Sequence, residues 1–147
     1  MPKATGLSAR PSRFTNIPYR GGLAAVIAPE ITREAVFDAL YHRRCYATSG
    51  ARTYLDFRLA GQRMGSEMKV RRGDSLPYEI TTAGTDLIAS VEFVRNDRQG
   101  TVWTHDGRDF LRLHGELTID ASCWVYVRIT QTDRHLAWSS PIWVDVT

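Results

Sequence analysis

The sequence predicts a mainly β fold: an antiparallel β-sandwich of immunoglobulin or fibronectin-like appearance, with one major helix near the N-terminus. Three observations carry this. After Gly50 apolar residues recur at every second position, the period of a strand with one face on a core. Turn signals separate these runs about every 8–12 residues, the spacing of a sandwich. Before Gly50 a helical period occurs once, over Thr32–Arg44.

Residues 1–20 contain Lys3, Arg10, Arg13 and Arg20, three prolines and no acid, and read as a flexible arm. Residues 21–147 read as a single domain, with a strand–helix preface over 21–50 and the sandwich over 51–147. Leu23–Ala28 is a continuous apolar run between Gly22 and Pro29, the pattern of a short buried strand. Thr32 suits a helix N-cap, because its hydroxyl can accept from a free N–H of the first turn. Glu34 follows where the helix dipole favours an acid. Ala35, Val36, Ala39 and Leu40 form the apolar stripe, and His42, Arg43 and Arg44 are expected to close the helix with cations.

The strands follow. Leu55, Phe57 and Leu59 alternate with polar or small residues, as do Leu76, Tyr78 and Ile80. Ala89, Val91 and Phe93 form the next core face, then Val125, Val127 and Ile129, then Ile142, Val144 and Val146. Weaker strands are expected near Thr101–Thr104 and Leu111–Ile119. Lys69, Arg71 and Arg72 read as a solvated loop.

Composition excludes several functions. The 147 residues carry a net charge of +3, but the first 20 supply +4, so the remainder is slightly acidic. A nucleic-acid domain should be basic on its fold, so nucleic acid is an unexpected partner. The longest apolar run falls far short of the roughly 20 residues of a membrane helix. With no signal-like segment, the expected location is cytoplasmic. Cys45 and Cys123 belong to no CxxC pair and read as reduced, half-buried small residues.

The stretch GGLAAVIAPEITREAVFDALYHRRCYATSGAR resembles a segment of bacterial PHP-type (polymerase and histidinol phosphatase) metal-dependent phosphoesterase-like proteins. Members carry a Gly-Leu-Thr-Ala-Val strand, a Thr-Arg-Glu-Ala helix start with Ala-Leu, and Tyr-Ala-Thr-Thr-Gly. Here these are Gly22–Val26, Thr32–Leu40 and Tyr46–Gly50, with Ala24 and Ser49 in place of threonines. Val91–Asn96, Trp124–Gln131 and Ala137–Val144 resemble the C-terminal sandwich of the same proteins. The family's His-x-His, Glu and Asp-x-His metal clusters would precede Gly21, where this sequence has no His, Asp or Glu. The resemblance therefore implies a non-catalytic accessory region that completes, scaffolds or dimerises a catalytic domain. It implies divalent metals for the full-length family and no cofactor in this chain. The expected partner is a catalytic domain or a second copy, met through the helix 32–44 surface.

Three constellations invite chemistry. Thr48, Ser49, Gly50 and Arg52 are residue types that cradle a phosphate: hydroxyls, open backbone and a guanidinium. The plainer reading is a helix-to-strand connection, with Gly50 permitting the turn and Arg52 paired to a nearby acid. His105, Asp106, Asp109, His114 and Glu116 are weak metal candidates, since a catalytic site needs three convergent ligands. Their convergence would make this a small metal-dependent hydrolase. Trp124 and Tyr126 share one strand face, with Trp103, Trp138 and Trp143 on other strands. Exposed and roughly coplanar, such rings would suit a carbohydrate-binding module. A helix covering that face would instead bury Tyr126, and this is the expectation adopted.

Overall fold

The computed structural model describes residues 21–96 and 98–147. The arm expected over residues 1–20 lies outside them. Twelve strands and one helix are present among the described residues: β1 (Leu23–Val26), α1 (Arg33–Tyr41), β2 (Cys45–Thr48), β3 (Tyr54–Leu59), β4 (Gln62–Arg63), β5 (Glu67–Val70), β6 (Asp74–Ala83), β7 (Ile88–Arg95), β8 (Arg98–Thr104), β9 (Phe110–Ile119), β10 (Cys123–Gln131), β11 (Leu136–Ser139) and β12 (Ile142–Val146). Two sheets face each other, and the expected sandwich is present.

The smaller sheet runs β4-β3-β6-β9, all antiparallel. The larger sheet is centred on β10. One side of β10 pairs with β7, which pairs with β8. Its other side pairs with β11 near one end and β12 near the other, with Ser140 and Pro141 between them. β11 continues to β2 and then β1, while β12 pairs with β5 in parallel. The strand–helix preface is thus bonded into the larger sheet through β2. Lys69 lies on β5 opposite Asp145 rather than in a loop.

Alternation places Leu55, Phe57 and Leu59 inward from β3 and Val125, Val127 and Ile129 inward from β10, all fully buried. Phe57 meets Phe93 across the sheets at 5.7 Å between ring centroids. Complete burial of such a side chain is worth about 1.5–3 kcal/mol. One strand departs from simple alternation. Ser90 pairs with Thr130 but Ile88 pairs with Gln131, so Ala89 is a bulge residue. Ile88, not Ala89, takes the buried position.

Thr32 caps α1 as expected, its Oγ1 accepting from the Ala35 N–H at 3.2 Å. The expected cationic last turn is absent: His42 is the C-cap, and Arg43 and Arg44 lie beyond it. Arg43 turns the chain with φ of 56°, and its Nε donates to the Gly65 carbonyl at 2.9 Å. A Cβ on Gly65 would stand 2.4 Å from the Arg43 oxygen, so this approach requires glycine.

Candidate functional site

The 48–52 loop leaves β2 and closes on its own neighbourhood. Thr48 is buried, and its Oγ1 accepts from the Gly50 N–H at 3.2 Å. The Ser49 N–H donates to the Leu136 carbonyl at 2.9 Å, and Ser49 Oγ accepts from the Leu136 N–H at 2.9 Å. Ser49 Oγ also lies 2.9 Å from Nδ1 of His135. The hydroxyls that would cradle a phosphate therefore already have protein partners, and the Ser49 bonds tie the loop to β11. Arg52 alone of the four projects into solvent, without an ion pair among the described residues.

A polar cluster that sequence reasoning missed lies beside this loop. Gln131 is buried at the end of β10, and its Oε1 accepts from Thr53 Oγ1 at 2.8 Å and the Thr85 N–H at 3.0 Å. Its Nε2 donates to Asp133 Oδ1 at 3.1 Å. That oxygen also accepts from the His135 N–H at 3.0 Å. Desolvation works against ionisation of Asp133, but these two donors and nearby His135 outweigh it and hold the carboxyl below the usual carboxylate range. Ser49, His135 and Asp133 do not form a catalytic triad, because Asp133 bonds the His135 backbone and not its ring. No local pattern signals this cluster, because its members are far apart in the sequence. Gln131 lies 78 residues from Thr53.

The metal candidates do not converge. His105 Nδ1 lies 3.0 Å from the Ile88 carbonyl oxygen. Asp106 is clamped by Arg108, whose hydrogen bonds hold its carboxyl below the usual range. Asp109 offers its backbone oxygen to the Gly84 N–H at 2.7 Å. His114 and Glu116 stand on β9, where Glu116 accepts from Ser75 Oγ at 2.8 Å. Among the described residues no three His, Cys, Asp or Glu side chains come close enough to hold a metal. The convergence that a small metal-dependent hydrolase would need is thus not formed by these weak candidates. His105, Asp106 and Asp109 lie in the turn between β8 and β9, whereas His114 and Glu116 lie further along β9.

The expectation for Tyr126 holds only in part: most of the ring is shielded, but not by the helix. Tyr126 is half-buried, and Trp124 lies parallel to it, with an interplanar angle of 11° and centroids 5.9 Å apart. The helix does not cover this face. It has nine residues, is tethered between β1 and β2 at the sheet edge, and packs chiefly on β1. Of its expected stripe, Ala39 is buried, Ala35 and Val36 are half-buried, and Leu40 is exposed. Its large side chains face solvent: Phe37 is 68% exposed, Tyr41 74%, and the preceding Ile31 fully. Phe37 and Tyr41 stack on each other along the helix at 6.3 Å. Between the end of α1 and the 62–67 segment lies an open cleft of about 750 Å³. Its Arg43, Arg44 and Arg63 are each bound to an acid: Glu67, Asp38 and Asp56 respectively.

Residues 7–87 match the profile of a family described as a protein of unknown function, DUF3604. The chain belongs to the DUF3604 family. The matched stretch of this DUF3604 chain includes β1 and α1 and ends just before β7, inside the sandwich. An uncharacterized protein of Chlamydia trachomatis serovar D is 35% identical over 144 residues, covering 87% of this chain and 23% of that protein. Uncharacterized proteins of Chlamydia muridarum and Chlamydia pneumoniae are 34% and 35% identical, with similar coverage. The DUF3604 chain thus spans about a quarter of the length of the curated relatives it matches. Among the described residues, no helix is long and apolar enough to cross a membrane.

Proposed function

We propose that this chain is the non-catalytic accessory region of a longer DUF3604 protein of the PHP phosphoesterase type. Its role is to dock on, and complete or scaffold, a separate catalytic body. The observation that carries this reading is α1. A helix whose large apolar residues face water while its small ones face the fold is built for a second surface. Relatives about four times as long supply room for that surface. The divalent metals implied by the PHP resemblance would be held in that other body, since the residues described here do not form a ligand set.

The test compares the 147-residue chain with the full-length polypeptide. The full-length protein should hydrolyse a model phosphodiester, bis(p-nitrophenyl) phosphate, with added Mn²⁺, and the chain alone should not. Phe37→Ser with Tyr41→Ser should lower the full-length activity. Stoichiometric transition metal in the chain purified alone, or hydrolysis by it, overturns the reading.

One observation favours a second reading. The parallel Trp124–Tyr126 pair, beside the Arg128–Glu92–Gln99 hydrogen bonds, joins flat apolar rings to polar groups as sugar recognition requires. A carbohydrate module would show tryptophan fluorescence changes with soluble polysaccharides, lost in Trp124→Ala.

A further inference from the structure

β1 is an edge strand, and its outer edge is free among the described residues. The Ile27 N–H bonds the Arg44 carbonyl at 2.8 Å, and the register runs on through Ala25–Tyr46 and Leu23–Thr48. In an antiparallel ladder, bonding alternates along the strand. The backbone groups of Leu23 and Ala25 therefore point to β2, and those of Ala24 and Val26 point away from the sheet. The opposite edge of β2 shows the same parity, since Ser49 and Cys45 bond Leu136 and Ser140 of the next segment.

Natural edges are guarded by charge, proline or a bulge. Leu23-Ala-Ala-Val26 has none of these. Beside it runs a groove of about 410 Å³, lined by Leu23, Ala25, Tyr46, Ala51, Arg52 and Tyr54. Open backbone groups next to an apolar groove are the two parts of a strand-addition site. The edge supplies main-chain bonds and the groove takes alternate side chains. At the rim stands Arg52, whose exposed guanidinium suits a carboxylate. α1, the connection out of β1, leaves its large apolar residues unpartnered on the same unit.

We propose that β1 is a strand-addition edge whose occupant is an extended apolar strand from the remaining polypeptide of the longer DUF3604 protein. The added strand pairs with Ala24 and Val26, sends alternate side chains over the groove, and extends the sheet so that α1 gains a surface to lie on. This rests on the docking reading above, and it names the backbone through which docking occurs.

Hydrogen exchange at the Ala24 and Val26 amides tests it, read in the 147-residue chain and in the full-length polypeptide. Exchange should slow by about 100-fold or more in the full-length protein and be fast in the short chain. Ala24→Pro should abolish the protection at Val26 in the long protein. In the short chain it should leave the melting temperature unchanged, because the lost N–H has no partner there. If that variant misfolds, wild-type exchange at Val26 still decides. Slow exchange already present in the short chain means a second copy or the chain's own residues fill the edge, and overturns the proposal. If Phe37→Ser with Tyr41→Ser impairs the long protein while Ala24 and Val26 stay fast, the docking reading stands and the edge proposal falls. If neither changes anything, both fall.

Discussion

The centre of the sandwich and the β1–α1 unit treat apolar side chains in opposite ways. Phe57 and Phe93 meet between two sheets, and nearly every inward residue of β3, β6 and β10 is shielded. In contrast, α1 shields Ala39 and leaves Phe37, Leu40 and Tyr41 in water. The helix is short and bonded to the rest through β1 and β2 at one margin of the larger sheet. The difference shows that the sandwich satisfies itself, whereas the preface is held by backbone bonding and lacks a packing partner within the described residues.

Four measurements can break or sharpen this contrast. The largest effect is expected in the core. Phe57→Ala should destabilise the chain by about 3–5 kcal/mol, as truncating a buried aromatic residue does. Phe37→Ala should stay within about 0.5 kcal/mol, as exposed substitutions do. Urea unfolding of both variants checks this, and equal midpoint shifts would erase the distinction between the regions.

Gly65→Ala probes the joint between them. A Cβ there collides with the Arg43 carbonyl, and the φ of 94° disfavours any side chain. A loss of about 1–3 kcal/mol is expected in thermal unfolding, the usual cost of overpacking. A neutral result would mean that the helix end is loosely joined to the sandwich.

Gln131→Ala probes the polar cluster. It strips partners from Thr53 and Thr85 and should cost about 1–3 kcal/mol, the penalty for unsatisfied buried groups. Urea midpoints that do not move would show that water replaces the amide.

The smallest effect is electrostatic. The folded carboxyl of Asp133 titrates below its unfolded value of about 3.9. Its contribution to stability is therefore present above pH 4 and lost as pH falls through the lower folded value. Asp133→Asn should lower stability slightly near pH 7, where the contribution is present, and flatten the loss of stability as pH falls below about 4. An unchanged acid limb would show that Asp133 is held no differently from a surface acid.

Alternation alone revealed the sandwich, because a period of two places one face of each strand on a core whatever its neighbour is. It located the inward residues of β3, β10 and β12, and a single threonine located the start of α1. Local patterns also marked the 48–52 loop and the His105–Glu116 residues as chemically interesting. They could not show that Ser49 and Thr48 would spend their hydroxyls on Leu136, His135 and Gly50, or that Glu116 would hold Ser75. Periodicity likewise could not foresee the bulge that turns Ala89 aside, nor that β5 would pair in parallel with a strand more than seventy residues away. Those outcomes belong to tertiary structure alone, because a residue's period is a property of its own segment. Which segment lies alongside depends on how the whole chain closes its two sheets, and that closure left the helix at the margin and, among the described residues, the edge of β1 open.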